Sequence, residues 1–550
     1  MKLLNKFKYE LLIAFIFVLT RFPDLGHDMF NTDVWKWKTR SYDFSTGIFN
    51  LQFDQTIQKY HPGVTLMWLG TLGIKIFNLY NETTLKVSPD SVQAIFGLHF
   101  VQKLMVVISI GLTLSSIFYV LNKLFGKKYA LLSVFLISFE PFYIALTRAF
   151  HLEGLQSTFM LAAIVWFYYW YINLENKNFI SKNSLKLFSA CFFSALAFLT
   201  KTTALYLIPF FGLWILINTF KTKKIKNGIF NFLQWLLPSL GFVFLLWPAL
   251  WVIPLQVFNI LYQGVVVVGV ETEHIQYFFG KLVEDPGWYF YFVVFLFRSS
   301  YWLIIGFMGT LLTFITSYYS QKSQNKFSKT LKNIFSPEQT NFIVYNLYYI
   351  LFYFIMLSIP SKKLDRYVLP LMISSVLIAS FFINYYFDKI KTNFKYILLV
   401  LPIFTAYYLH PNYFSYYSVG LKFGIYAIEP KWMIGQKEIV SYFKNLKSTE
   451  NYSDSYDMSF EEVIQDPQLY PKTLSVGFPE KYYTQIWPFF REFGAWAVIQ
   501  DLRPFAVKTN YFIYPVWNDE SENENRFKLK YIDTIKVRGV NVYNVYQRVQ

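Results

Sequence analysis

Residues 33–70 read DVWKWKTRSYDFSTGIFNLQFDQTIQKYHPGVTLMWLG. The stretch follows a first hydrophobic segment near Tyr9–Thr20 and opens on an aspartate, Asp33, set among tryptophans and cations. Some twenty residues on, His61-Pro62-Gly63 starts a second apolar run. A loop that only joined two helices would have little need of this content. It reads as an outward-facing reaction site at a membrane surface.

The rest of the chain supports the membrane half of that reading. Of 550 residues, 54% are hydrophobic, 22% aromatic and only 15% charged, against roughly 25% charged in an average soluble domain. Mean hydropathy is +0.31. Apolar runs of about 17–25 residues, long enough to span a bilayer core, recur near 9–22, 96–121, 129–147, 154–173, 185–200, 203–220, 229–250, 288–316, 341–359, 366–387 and 395–411. The expected fold class is therefore a polytopic α-helical membrane protein with about eleven transmembrane helices. The net charge of +17 would suit nucleic acid, but the cations fall in short loops between spans, so nucleic acid is not an expected partner and membrane lipids are. Cys191 is the sole cysteine, which excludes an intrachain disulfide and a thiolate metal cluster.

Charge bias orients the spans. With the N-terminus inside, lysines crowd every inner loop: Lys123/Lys127/Lys128, Lys177/Lys182/Lys186, Lys221/Lys223/Lys224/Lys226, Lys322/Lys326/Lys329/Lys332 and Lys389/Lys391/Lys395. An odd number of spans places the C-terminus outside. No small-residue cleavage site follows the first span, so it reads as a retained anchor. Val64–Tyr80 is short and interrupted by glycine, and counting it as a span would reverse the charge pattern downstream. It is expected to lie at the outer interface. The expected domains are 1–429, a membrane catalytic part with outer loops at about 22–95 and 251–287, and 430–550, a small extracytoplasmic α/β domain. In the latter, Ile434–Leu446 has helical periodicity; Leu474–Phe478, Trp496–Gln500 and Tyr511–Val516 look like strands; Phe527–Tyr546 reads as a hairpin turning at Arg538-Gly539. An acidic DESENE run occupies 519–524.

Polar residues gather on one side of this topology. Asp33 is placed to act as a general base toward an acceptor hydroxyl; Asp24, Asp28 and Asp43 are alternatives, and a merely solvated acid is the plain reading. Arg148-x-x-His151-x-Glu153 ends the third span, where buried charges need partners: either a mutual salt bridge, or Arg148 on a phosphate with His151 and Glu153 shaping a sugar site. Lys201 sits in a very short turn. Lys362, Lys363 and Arg366 lie in another outer turn, suited to an anionic head group or leaving phosphate, or to anchoring on lipid phosphates. Arg298 lies within the eighth span and requires a partner, with Glu271, Glu273 and Asp285 as candidates. Trp35, Trp37, Trp68, Trp247, Trp251 and Trp288 read as an aromatic belt. Zinc-type ligand spacing and nucleotide-binding glycine loops are absent, so no metal site is assigned and no cofactor is required; a divalent metal stays open.

Together these residues resemble glycosyltransferase family 39, the polyprenyl-phosphate-dependent membrane transferases of the GT-C fold, whose relatives include protein O-mannosyltransferases and lipid A aminoarabinose transferases. The resemblance rests on Asp33, HPGVTLMWLG at 61–70, TRAFHLEG at 147–154, LTKTTALYLIP at 199–209, HIQYFFGKLVEDPGWYFY at 274–291, FR at 297–298, KKLDRYVLP at 362–370 and HPNYFSYYS at 410–418. It implies inverting transfer of a sugar from a polyprenyl-phosphate donor to a protein, lipid or glycan acceptor at the outer face of the cytoplasmic membrane. Asp33 and Glu153 would be catalytic. Arg148, Lys201, Lys362, Lys363 and Arg366 would hold the donor phosphate. His61, His151, His274 and Asp285 would shape the site. The family usually has Asp-Glu where this chain has Asp33-Val34, and often an aspartate where it has Glu153. Two other readings compete: a lipid or glycan transporter, and a non-catalytic lipid-binding relative.

Overall fold

The structure, a computed structural model, describes residues 7–174, 184–222, 225–266, 275–320, 334–390, 394–453, 473–500, 509–517 and 526–549. The chain is a polytopic α-helical membrane protein with a small C-terminal sheet domain. Each of the eleven apolar stretches falls on a helix or a bent pair of helices. Among the described residues, five helices are long and apolar enough to cross a membrane: Val92–Phe125, Thr202–Phe220, Ile225–Leu246, Pro337–Ser358 and Asp365–Lys389. Two bent pairs raise the number to seven. Local chemistry starts several of these helices. The Ser91 hydroxyl accepts from the Ala94 amide, and Ser336 with Gln339 forms a reciprocal capping box, each satisfying amides that a helix end leaves unpaired.

The helix Leu152–Tyr171 occupies the centre, buried continuously from Leu152 to Tyr168. It packs most heavily on Ser184–Thr200 and Val92–Phe125. Such a helix is apolar all round because protein, not lipid, surrounds it.

Two expected spans are broken. The third divides into Lys127–Ser138 and Pro141–Thr147, bent by 68°, where Pro141 opens the second helix because its missing N–H is no loss there. The eighth is not one helix but Phe290–Arg298 and Tyr301–Ser320, at 118°. The two breaks are bolted to each other. Glu140, in the first, accepts from the Ser300 amide at 2.8 Å and from the Ser300 hydroxyl, in the second.

Arg298 ends the Phe290–Arg298 helix, and its partner corrects the sequence expectation. It pairs with Asp365 at 2.8 Å and donates to the carbonyls of Phe414 and Tyr416. Asp285 instead holds Lys363, and Glu271 and Glu273 lie outside the described residues. Two tryptophans assigned to an interfacial belt, Trp37 and Trp247, are interior.

The segment between the helices Lys8–Arg21 and Val92–Phe125 is mostly helix. Val34–Phe49 forms a helix that buries Trp37, Ser41 and Phe44 against the helix Val64–Tyr80. Gly63, at φ +59°, lets the two meet: a Cβ there would fall 2.2 Å from the Trp37 ring.

A hairpin of β1 (Gln276–Phe278) and β2 (Lys281–Val283) precedes the helix Phe290–Arg298. The C-terminal sheet holds β3 (Ser475–Phe478), β4 (Trp496–Ile499), β5 (Tyr511–Pro515), β6 (Leu529–Val537) and β7 (Val540–Arg548), in the order β4-β3-β5-β7-β6. β3 runs parallel to β4 and β5; β7 is antiparallel to β5 and β6. The β6–β7 turn falls at Arg538-Gly539, both at positive φ, the conformation a two-residue hairpin of this twist requires. The helix Glu480–Glu492 links β3 to β4 and docks the sheet on the helix Val34–Phe49. Trp35 donates its indole N–H to the Thr484 carbonyl at 2.7 Å and packs on Trp487.

Candidate active site

His151 is the hub. It stands in extended conformation just before the helix Leu152–Tyr171, so its ring and the Glu153 carboxylate meet at the helix start. There, aligned amides favour negative charge. Its Nε2 lies 3.3 Å from an Asp33 oxygen, and its Nδ1 contacts Glu153. Glu153 also accepts from Lys201 at 3.0 Å and from Arg366 Nε at 3.1 Å. A second Arg366 nitrogen lies 3.9 Å from Asp33, and Lys36 lies 3.6 Å from it. Four segments far apart in sequence thus converge on one network.

Each member is held in place. Asn31 accepts from the Asp33 amide at 3.1 Å while its own amide donates to the Phe150 carbonyl, an Asx-type turn. The Lys201 ammonium lies 3.8 Å from the Tyr367 ring centre. Thr200 bonds the Thr65 hydroxyl at 2.6 Å, and its carbonyl accepts from the Gly63 amide, which ties the HPG turn to the Lys201 turn. Arg366 is fixed from behind: Asp365 accepts from its amide and pairs with Arg298. Gln276 and Tyr291 hold the preceding turn at Ser361, Lys363 and Leu364. Trp432 closes one side, its ring 5.1 Å from His151 and 5.8 Å from Arg366.

Electrostatics separate the roles. Burial alone would raise the Asp33 carboxyl. The hydrogen bond and charge of His151, then Arg366 and Lys36, outweigh it and hold the group well below the usual carboxylate range. Burial opposes protonation of His151, yet Glu153 and Asp33 outweigh that and raise it. His61 goes the other way. Burial, with Lys201 beside it, pushes it down to about 3; it is a neutral imidazole whose Nδ1 is buried without a hydrogen-bond partner.

The sequence candidates divide into those this network gathers and those it does not. Asp33, Glu153, His151, Lys201 and Arg366 meet directly, with His61 beside them. Lys363 is turned away, its ammonium on Asp285 at 2.7 Å and the Pro360 carbonyl; Lys362 shares that turn and is partly exposed. His274 lies outside the described residues. Arg148 joins a different cluster: its guanidinium donates to Asp28 at 2.9 Å and to the Arg21 and Pro23 carbonyls at 2.7 Å each. Lys103 completes it on the other Asp28 oxygen. The mutual Arg148–Glu153 bridge considered above does not form, since each has other partners. Asp24 faces His410 and Asp28 lies in the Arg148 cluster; Asp33, on His151, is the carboxylate at the network's mouth. Val34 is fully buried in the core, and the network's second carboxylate comes from Glu153.

Sequence reading missed Asn31, Tyr367 as the platform for Lys201, and Trp432. An Asx residue two before Asp33, and a tyrosine beside Arg366 in KKLDRYVLP, were signals; Trp432 gave none. Among the described residues, no group of three or more His, Cys, Asp or Glu is placed to hold a metal ion.

Residues 91–251 match the family described as dolichyl-phosphate-mannose-protein mannosyltransferase. No curated protein matches the sequence. Among solved structures, apo ArnT from Cupriavidus metallidurans aligns over 99% of this chain and 98% of its own at 11% identity, TM-score 0.48. ArnT bound to undecaprenyl phosphate aligns over 98% of each at 12%, TM-score 0.44. The oligosaccharyltransferase AglB from Archaeoglobus fulgidus, in complex with an inhibitory peptide and a dolichol-phosphate, aligns over 94% of this chain and 70% of its own at 13%, TM-score 0.46. The family match, which includes Arg148, His151, Glu153 and Lys201, bears out the resemblance drawn from the sequence motifs to the lipid-phosphate-dependent membrane glycosyltransferases.

Proposed function

We propose that this chain transfers a sugar from a polyprenyl-phosphate donor to an acceptor hydroxyl or amine, with inversion, at the outer face of the cytoplasmic membrane. The N-terminus is inside. Residues 1–429 form the catalytic membrane part, and 430–550 a domain on the outer side. The observation that carries this reading is the convergence of a half-open carboxylate, Asp33, with two cations, Lys201 and Arg366, on one buried hub.

The donor phosphate sits against Lys201 and Arg366, with Lys362 and Lys363 on the adjoining turn. The acceptor oxygen or nitrogen forms a bond to the anomeric carbon as the bond from that carbon to the phosphate oxygen breaks. The electron pair leaves on the phosphate, whose growing charge the cations stabilise in a site they already occupy. The acceptor proton passes to Asp33. Asp33 is a weak base because its pKa is depressed, so it works by orienting the nucleophile and takes the proton late, once bond formation has made it acidic. His151 holds Asp33 and Glu153 in register. His61, neutral and with an unused nitrogen, is placed to hydrogen-bond the sugar.

Purified protein incubated with labelled polyprenyl-phosphate sugars is expected to release or transfer sugar. Binding without turnover would leave a lipid-binding relative, and neither binding nor turnover would overturn the reading.

A further inference from the structure

A second cavity lies away from the His151 hub, where the second outer loop meets the C-terminal sheet. It has a volume of about 430 Å³, within the usual range for small-ligand sites. Tyr277 of β1, Tyr426 of the short helix Leu421–Ala427, and Trp517, just after β5, line it. Lys422 and Asn541 add polar groups. The walls are fixed by backbone bonds. The Phe279 and Gly280 amides donate to the carbonyls of Ala427 and Tyr426, and the Val516 amide donates to the Val542 carbonyl.

Two details point to a ligand. Tyr426 is 49% exposed yet held in place. Gly280, at φ +76°, lies under its ring, and a Cβ there would come within 2.6 Å of it. The Trp517 indole nitrogen is buried and has no acceptor, which is unfavourable unless something brings one. Pre-set aromatic faces, a donor without an acceptor, an amide and an ammonium form a surface for a sugar: C–H faces stack on rings while hydroxyls take the polar groups. An acyl chain would leave these polar groups unpaired. An extended peptide adding as a strand would need a free edge; β7, which borders the cavity, is paired on both sides, and β1 is paired to β2 and bridged to Ile428.

We propose that this cleft is a carbohydrate-binding subsite for the acceptor, so the acceptor carries a glycan; the assignment of the glycan to the acceptor rests on the glycosyltransferase reading above. Residues 426–432 run directly from the cleft to Trp432, which packs on His151. A glycan held at Tyr426 and Trp517 would extend along this connection toward the His151 hub.

The test uses the full chain in lipid nanodiscs with fluorescently labelled malto-, manno- and chito-oligosaccharides, read by polarisation. At least one series is expected to bind saturably. Tyr426→Ala should weaken it about tenfold, equivalent to ~1.4 kcal/mol. Trp517→Phe, which keeps an aromatic face and removes the N–H, should weaken it by less, and Asp33→Asn should not change it. Hydrolysis of a labelled polyprenyl-phosphate sugar without acceptor, measured in parallel, should be equal in Tyr426→Ala and the wild type, which also shows that the variant is folded. Saturable binding lost in Tyr426→Ala, with no donor turnover in the wild type, keeps the cleft and removes the glycosyltransferase reading. Donor turnover, with no saturable binding or with equal binding in Tyr426→Ala and Trp517→Phe, overturns the cleft and leaves that reading standing.

Discussion

Two charged clusters, each setting acid against lysine and arginine, stand near each other where residues 28–36 meet residues 148–153. In one, Asp28 lies between Arg148 and Lys103, all three side chains at most 1% exposed. In the other, Asp33 and Glu153 lie among His151, Lys201 and Arg366, with Asp33 at 30% and Arg366 at 13%. The first is closed: each Arg148 donor group is spent on Asp28 or on the Arg21 and Pro23 carbonyls. Buried charge of that kind specifies how segments dock, and removing one partner leaves the other uncompensated. The second is open on one side, so its charges can meet a substrate. An aspartate facing lysine and arginine is common to both; access, and the histidine of the second, separate them.

The contrast breaks most sharply at Asp33. Asp33→Asn keeps the size and hydrogen-bonding reach of the side chain but cannot take a proton. It is expected to lower transfer by about 10²–10⁴-fold, the usual worth of a positioned acid or base, in a protein that still folds but with a lowered thermal midpoint in detergent, because the carboxylate's pairing to His151 and Arg366 is lost. A folded variant with full transfer activity would remove Asp33 from the chemistry. Arg148→Ala should do the reverse: a loss of about 3–5 kcal/mol in stability, as for a broken buried ion pair, and near-normal turnover per folded molecule. If instead it stays folded and loses donor binding, the closed cluster belongs to the site after all.

Arg366 sharpens the comparison because it serves both cluster and loop. Arg366→Ala should raise the donor Kd by about 10–100-fold, from the loss of charge-assisted hydrogen bonds worth ~1.5–3 kcal/mol. Unchanged donor affinity, measured by titration with a polyprenyl phosphate, would dissociate it from the phosphate. Arg298 sets a smaller effect on the same position, because it reaches Arg366 only through Asp365. Arg298→Lys should lower affinity less than Arg366→Ala, and a loss of turnover at unchanged affinity would place Arg298 elsewhere.

Much of this was legible in the sequence, and the reasons are specific. Long apolar runs and lysine-rich loops marked the helices, because hydrocarbon thickness and charge bias act residue by residue. Arg538-Gly539 marked its hairpin because few residues accept two positive φ angles in succession. His151 and Glu153 stood out as polar groups at a span end, Lys201 and Arg366 as cations in very short turns, and Asp33 as an acid among tryptophans and cations in a loop. The rest depended on which segments meet. The Arg298 partner and the division between Arg148 and Lys201 are long-range pairings without local signal. The helix Val34–Phe49 was hidden because its polar, tryptophan-rich face matched a loop's composition. The bends at Glu140 and Ser300 were hidden because apolar runs continue across them, and Trp432 comes from a segment with no motif at all.

The subtlest difference between the clusters is their response to pH. Arg148 and Lys103 face Asp28 with no histidine between them, whereas His151 sits between two carboxylates. Its folded pKa is raised above the ordinary 6.5, so its contribution to stability is fully present below that value and fades as pH rises through the raised one. Asp33, depressed below the ordinary 3.8, contributes above that value and fades only as pH falls toward its lowered one. Between about 4 and 6.5 both contributions are intact, and alkaline pH removes the His151 part first. Thermal midpoints in detergent should therefore decline from neutral toward alkaline pH, and His151→Gln, which cannot titrate, should flatten that limb while leaving Arg148→Ala as pH-dependent as the wild type. Parallel alkaline declines in the wild type and His151→Gln would mean that the imidazole's charge does not bind the open cluster together, and that Lys201 and Arg366 alone hold Glu153 where it is.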